Sequence, residues 1–269
     1  MGDKTKISWC DASWNPVTGC LHGCEYCYAR RIAERFSGCD RCVAICRYSD
    51  REHTKLIFAD LFNGGAKLNG KPAPYPFGFK PTFHRERLDI PSKWRRPRTI
   101  FVCSMADLFG SWVPDERIAE VFNACAAAPQ HRYLFLTKNP ERYKDICLKD
   151  ALPYGPRFWY GTTTTRPTEG AFIVEQEKKF YHTFLSIEPI QERFGKYALN
   201  RNTIILTDWV IIGAETGNRK DKVIPEKEWI DEIVEVCKKY EKPIFMKESL
   251  RELMGADFVQ EFPWERTEE

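Results

Sequence analysis

From residue 99 onward the chain repeats one pattern: a run of consecutive apolar residues, a polar end, then an amphipathic stretch. TIFVCSM at 99–105, RYLFLTK at 132–138, RFWYGTTT at 157–164, HTFLSIEP at 182–189, DWVIIGAETG at 208–217 and PIFMKES at 243–249 read as strands buried on both faces, because their apolarity is continuous rather than alternating. The helical period recurs between them. Ile118, Val121, Phe122 and Cys125 share one face of a first helix, and Asn139-Pro140 supplies an N-cap and an N1 proline for a second over ERYKDICL. A third is expected over 169–180, and Trp229, Ile230, Ile233, Val234 and Cys237 line the inner face of a fourth over 226–240. Doubly buried strands joined by amphipathic helices pair in parallel, since a parallel connection needs a crossover that a helix supplies. With a short first strand at KISW, 6–9, six or seven such units predict an α/β fold, a partial parallel (β/α)6-type TIM-like barrel forming a single domain over residues 1–269.

In barrels of this kind the polar residues at the C-terminal strand ends build the active site. Here they are Ser104 and Asp107, Thr137 and Lys138, Thr162 and Thr163, Glu188, and Glu215 after Gly213. Each alone also suits a helix cap. Their recurrence on successive units makes them a group, within which Lys138 and Glu188 are the candidate catalytic side chains.

Residues 37–98 break the alternation as an irregular, Cys-rich insertion. Cys39, Cys42, Cys46 and His53 offer ligands for a second metal, zinc or an auxiliary iron–sulfur cluster, with Cys10 a competing ligand; the alternative is free thiols. The segment 80–98 concentrates Lys80, Arg85, Arg87, Lys93, Arg95, Arg96 and Arg98 among Phe83, His84 and Trp94, in a chain whose net charge is only +3. Such a segment suits phosphates and stacked bases, or else is a solvated basic loop packed on the barrel.

The odd count of 11 cysteines in so long a chain argues against a disulfide scaffold, and residues 1–15 lack the apolar run of a signal peptide. No stretch approaches the roughly 20 apolar residues that cross a bilayer. A soluble, cytoplasmic protein without a membrane partner is therefore expected.

GCLHGCEYCYARR, residues 19–31, sets Cys20, Cys24 and Cys27 in a Cys-x-x-x-Cys-x-x-Cys array, on a loop entering a helix whose apolar stripe is Tyr28, Ile32 and Phe36. Iron–sulfur clusters normally take four thiolates, so a compact three suggests a 4Fe-4S cluster with one iron open to another ligand. A structural zinc site, the alternative, closes four ligands. The array resembles the signature of the radical-SAM superfamily. The succession WNPVTGC, CEYCYARR, FHRERL, SMADLFG, LFLTKNP, YGTTT, SIEP and IIGAETG is similar, over nearly the whole chain, to a phage and prokaryotic radical-SAM family long described only as of unknown function. More distantly it resembles spore photoproduct lyase, a radical-SAM enzyme that repairs a thymine dimer in DNA. The Cys39 to His53 insertion departs from the family pattern.

The resemblance implies that Cys20, Cys24 and Cys27 hold a 4Fe-4S cluster whose open iron chelates S-adenosyl-L-methionine. One electron then cleaves that cofactor to methionine and a 5'-deoxyadenosyl radical. By the same resemblance Tyr28 lies near adenine, Ser104 and Asp107 meet the amino group, Lys138 pairs with the carboxylate, Thr162 or Thr163 reaches the ribose, and Gly213 and Glu215 approach the nucleoside. The expected substrate is a nucleotide or a pyrimidine in DNA, and the expected electron source is a low-potential donor such as flavodoxin or ferredoxin. A radical enzyme acting on a peptide or small metabolite is the alternative, and a non-enzymatic metal-stabilised binding module a third.

Overall fold

The structure is a computed structural model that describes residues 5–40, 44–48, 56–62, 65–169, 180–195 and 203–265. The chain forms two compact units, Met1–Pro153 and Tyr154–Glu269.

Among the described residues, the first unit holds three parallel strands, a four-stranded sheet and a two-stranded hairpin. β1 (Ala12–Trp14) opens the parallel set, β2 (Val17–Thr18) follows after Asn15-Pro16, and α1 (Tyr28–Arg35) begins directly after the third motif cysteine. The insertion contributes β3 (Ala44–Tyr48), β4 (Leu56–Leu61), the short hairpin β5 (Lys67–Leu68) and β6 (Lys71–Pro72), β7 (Thr82–His84) and the one-turn α2 (Ile90–Lys93). Then come β8 (Thr99–Val102), α3 (Asp115–Ala126), β9 (Arg132–Thr137) and α4 (Glu141–Leu148). β1, β8 and β9 are parallel, with Trp14 opposite Val102 and Val102 opposite Phe135. The four-stranded sheet has the order β2-β7-β4-β3, so residues that read as an irregular insertion supply three of the four strands of a sheet shared with the stem of the cysteine loop.

The first strand is Ala12–Trp14, and residues 6–9 lie outside any strand. Trp9 is buried without strand pairing because its ring packs on Phe101 at 4.5 Å, so an apolar residue there did not signal a strand. In α3 the predicted face of Ile118, Val121, Phe122 and Cys125 is the buried one. α1 is different: Ala29 and Ala33 face inward, and the stripe of Tyr28, Ile32 and Phe36 is exposed at 45%, 39% and 53%. Two alanines let the helix lie close to its neighbours, which the larger side chains would prevent. α4 starts one residue beyond the expected cap. Asn139 donates its side-chain amide to the Phe109 carbonyl at 2.9 Å instead of capping the helix.

The second unit is a four-stranded parallel sheet of β10 (Phe158–Thr163), β11 (His182–Ile187), β12 (Trp209–Ile212) and β13 (Ile244–Met246), with α5 (Lys227–Lys239) before the last strand and the short α6 (Arg251–Met254) after it. Ile230, Ile233, Val236 and Cys237 of α5 pack on the apolar side chains of β11 to β13. Trp229 and Val234, expected on that face, are only partly buried. After α6 the chain runs back along β13: Met246 N–H donates to Val259 O at 2.8 Å and Glu261 N–H to Ile244 O at 2.7 Å. Phe262 and Trp264 thereby cover the fully buried Trp209, whose indole N–H donates to the Glu261 carbonyl at 2.9 Å. Of the helix expected over 169–180, residues 170–179 lie outside the described residues. Among the described residues no helix is long and apolar enough to cross a membrane.

Candidate functional site

The three-cysteine loop leaves β2 through Gly19, at φ +82°, where a Cβ would stand 2.3 Å from the Lys80 carbonyl oxygen. Only glycine fits there, on backbone conformation and on space. Gly19 N–H donates to Met105 O at 2.9 Å and Cys20 N–H to Phe79 O at 3.2 Å, so the stem is fastened to the end of β8 on one side and to the insertion on the other. Asn15, buried in the preceding turn, accepts from the Met105 N–H at 2.9 Å and the Ser104 hydroxyl at 3.2 Å. Its own carbonyl accepts from the Arg87 guanidinium at 3.0 Å.

Two thiols face N–H donors. The His22 N–H lies 3.5 Å from Cys20 Sγ, and the Arg30 N–H 3.4 Å from the sulfur of Cys27, the N-cap of α1. Burial pushes the Cys20 thiol up to about 12; the His22 N–H opposes this, and the charges of Asp107, Cys24 and Cys27 add to it. A thiolate here is therefore costly unless a cation shares the site, and a coordinated metal supplies that cation and deprotonates the thiol. None of the three is in a disulfide. Among the described residues no Cys, His, Asp or Glu side chains already converge as a metal-binding set, so ligation requires the thiols to turn toward a common centre. By donor type, loop placement and N–H···S contacts they fit a thiolate-bound iron–sulfur cluster.

Asp107, buried after β8, organises what surrounds the loop. Its carboxylate takes the His22 ring at 2.7 Å, the Thr137 hydroxyl at 2.8 and 2.9 Å, the Lys138 N–H at 2.9 Å and the Phe109 N–H at 3.0 Å. These donors match the roughly four acceptor positions of a carboxylate. A contact between Asp107 and a ligand amino group would have to displace one of them. Lys138 donates to the Tyr26 hydroxyl at 2.9 Å, and the Tyr28 hydroxyl donates to the Ser104 carbonyl at 2.8 Å. Cys20, Cys24, Cys27, Tyr28, Ser104, Asp107 and Lys138 thus belong to one connected neighbourhood, joined by three residues the sequence did not single out, Asn15, His22 and Tyr26. For His22 the available signal was its place between two motif cysteines.

The remaining predicted residues lie in the second unit. Thr162 is buried and Thr163 half-buried at the end of β10. Glu188 forms an ion pair with Lys247, which follows β13, and a Cβ on Gly213 would come within 3.1 Å of Lys247 Cδ and 3.2 Å of Glu188 Cγ. Gly213 therefore keeps space beside that pair. Lys247 was not predicted, because nothing in PIFMKES separates it from an ordinary surface lysine. Glu215 is buried and clasped by Arg219 at 2.7 and 2.8 Å, with Gln191 at 3.3 Å; the Arg219 hydrogen bond holds its carboxyl below the usual range.

Of the second metal set, Cys42 and His53 lie outside the described residues. Cys39 packs partly buried beside Leu61, Ala66 and Ala73, and Cys46 sits half-buried on β3. In the basic segment, Arg85 forks onto Asp60 with two contacts of 3.0 Å and reaches Glu120 at 2.8 Å. Arg87 is buried on the Asn15 and Pro74 carbonyls, both at 3.0 Å. Burial pulls its pKa down to about 10. Lys93 bonds Asp89 at 2.7 Å, and Arg98 lies 4.8 Å from the centre of the Trp94 ring. Arg95 and Arg96 are exposed.

Strand ends bearing polar side chains, with a three-thiol loop at the first of them, define an α/β protein of the partial-barrel class. A solved structure of spore photoproduct lyase complexed with dinucleoside spore photoproduct aligns over 91% of this chain and 79% of its own, with a TM-score of 0.53 and 9% identity. A cysteine-to-serine mutant of that enzyme aligns over the same shares, with a TM-score of 0.49 and 10% identity. At such identity the first likeness shows the fold, a partial parallel (β/α) barrel, as the strand and helix pattern implied. The chain belongs to the family described as "Protein of unknown function (DUF5131)", which it matches over residues 4–252. No curated protein matches it.

Proposed function

We propose that this protein is a radical-SAM enzyme acting on a nucleobase or nucleotide, with a pyrimidine in DNA as the first candidate. The observation that carries the reading is the three-thiol loop fastened through Asp107 to the ends of two parallel strands. When bound at Cys20, Cys24 and Cys27, a 4Fe-4S cluster with S-adenosyl-L-methionine supplies a 5'-deoxyadenosyl radical, and the cofactor rather than the protein carries the hard chemistry. The chain's residues position and shield. Tyr28 stands beside the third thiol with its hydroxyl on Ser104, and Lys138, oriented by Tyr26, offers a point charge for a carboxylate. Thr162, Thr163, Gly213 and Glu215 are proposed for the ribose and base of the cofactor. Glu188, paired with Lys247, is the proposed acid–base group, and a low-potential flavodoxin or ferredoxin the proposed electron source.

The nucleotide substrate is supported by the fold shared with an enzyme whose solved complex holds a dinucleoside photoproduct. It is supported also by the cations of the 80–98 segment that remain exposed. The test is anaerobic reconstitution followed by reduction with cofactor and a damaged or intact oligonucleotide. Iron and sulfide near four each per chain, release of 5'-deoxyadenosine, and loss of both in Cys24→Ala are expected, the cluster type setting the stoichiometry of about four. Turnover in an iron-free Cys24→Ala variant would reject the reading. One observation favours the second substrate class, a peptide or small metabolite: Arg87 is buried on two backbone carbonyls and the half-exposed Arg85 is paired with Asp60 and Glu120, which leaves fewer cations of the segment for phosphates.

A further inference from the structure

Between Cys20 and Cys24 the loop passes through Gly23, at φ +75°, with nothing within 4 Å of where a Cβ would be. At Gly23 itself, then, no neighbouring group packs where a side chain would be. His22 reaches out of the loop. The ring lies 2.7 Å from Asp107 Oδ2 and stands edge-on to Trp112, with ring centres 4.9 Å apart. Trp112 is seated on Gly110, where a Cβ would fall 2.3 Å from its ring. Asp107 also holds the Thr137 hydroxyl and the Lys138 N–H, so one carboxylate joins the middle of the cysteine loop to the ends of both β8 and β9. At its other end the His22 backbone points its N–H at Cys20 Sγ.

We infer that His22 is a positioning residue: through Asp107 it fixes the path of the arm between Cys20 and Cys24, and with it the spacing and electrostatic surroundings of the three thiols. The inference rests on the proposed role of these cysteines as cluster ligands and deepens it. A charged hydrogen bond with a buried acceptor is worth more than a neutral one, and its loss lets the arm open away from the strand ends. The His22 ring hydrogen-bonds Asp107 and packs edge-on against Trp112, and it is the carboxylate that links it to the ends of β8 and β9.

The test uses His22→Ala, His22→Gln, Asp107→Asn and the His22→Ala/Asp107→Asn double variant in the full chain. In the apoprotein, alkylation of Cys20, Cys24 and Cys27 is followed by mass spectrometry. His22→Ala should speed it about tenfold, which corresponds to about 1.4 kcal/mol of easier opening. His22→Gln, which can still donate to the carboxylate, should restore part of the protection. The double variant should be no faster than the faster single one, because both remove the same contact. In reconstituted protein, His22→Ala should retain iron but shift the cluster's midpoint potential and its electron paramagnetic resonance signal. A tenfold change in the relative stability of oxidised and reduced cluster equals about 59 mV for one electron.

Parental alkylation rates and an unmoved potential in His22→Ala would overturn the inference, as would additive effects in the double variant. Complete loss of iron in His22→Ala, with iron kept in Asp107→Asn, would make His22 a ligand and also overturn it. If the parent chain takes up no cluster, the proposed function fails on its own account, and the alkylation rates alone decide the clamp. Should Asp107→Asn fail to fold, the His22 pair still decides it, since that side chain is 22% exposed and its removal opens no core.

Discussion

Acid should loosen the stem of the cysteine loop before it reaches most carboxylates, because of His84. The ring is fully buried on β7, with Nε2 2.9 Å from the Thr18 hydroxyl on β2 and Nδ1 3.2 Å from Glu86. Burial pulls its pKa down to about 4; the Glu86 hydrogen bond resists and the Arg87 charge assists. An unfolded chain takes up this proton near pH 6.5, about the ordinary histidine value, while the folded chain resists it until about pH 4. In that window the unfolded state binds more protons, so stability rises with pH. The contribution is complete above the unfolded value and is lost as pH falls toward the folded one. At about 1.4 kcal/mol per pH unit the gap amounts to on the order of 3 kcal/mol, of which about 2 kcal/mol is gone by about pH 5. Urea unfolding of the apoprotein at about pH 7.5 and about pH 5 measures this, beside His84→Gln, which keeps a polar side chain but cannot titrate there. The parent should lose about 2 kcal/mol more than the variant, since carboxylates that do not touch the ring cancel, and making both chains in a Glu86→Gln background removes the one that does. Equal losses, or a larger loss in His84→Gln, would refute the reasoning.

Other outcomes follow from the same geometry. Gly19→Ala should cost at least about 3 kcal/mol and abolish iron uptake, because the left-handed backbone and the Lys80 carbonyl both exclude a methyl group; normal stability by urea unfolding would contradict this. Arg87→Met should destabilise by about 3 kcal/mol, since it leaves the Asn15 and Pro74 carbonyls unpaired, with denaturant midpoints as the measure. Arg95→Ala combined with Arg96→Ala should lower the slope of log binding constant against log salt by about 0.7 to 0.9 per lost phosphate contact, and an unchanged slope on oligonucleotides would exclude them as contacts. Cys42→Ala should lower total metal without removing the primary cluster if the insertion binds a second ion; unchanged metal content would make its cysteines free thiols.

What the sequence disclosed depended on how local each signal was. Strands β8 to β13 were legible because doubly buried strands need unbroken apolar runs; Glu188 and Lys247 follow β11 and β13 directly, whereas β8 and β12 stop at Val102 and Ile212, short of Ser104 and Glu215. The burial of Ile118, Val121, Phe122 and Cys125 followed from their period alone. The face of α1 did not, because Ala29 and Ala33 carry too little apolar weight to outvote Tyr28, Ile32 and Phe36, although small size is what seats the helix. Arg85 and Arg87 looked like a basic surface because their partners, Asp60, Glu120 and two carbonyl oxygens, are remote in sequence. Asp107 was found as a polar strand end. That it is a junction of several segments needed His22 and Thr137 brought to it by the fold.

The pairing of β2 with β7 makes the so-called insertion non-detachable. Val17 lies opposite Phe83 and Thr18 opposite Thr82, and Cys20 hangs from Phe79, so the loop that presents the thiols is hemmed by residues some sixty positions downstream. Trimming the chain to a minimal barrel would unzip that hem and leave the cysteines on an untethered strand end. Transplanting the motif onto another scaffold would fail for the same reason unless residues 16–20 and 79–88 travel as a matched pair. In this protein the apparent decoration is the jig that holds the workpiece.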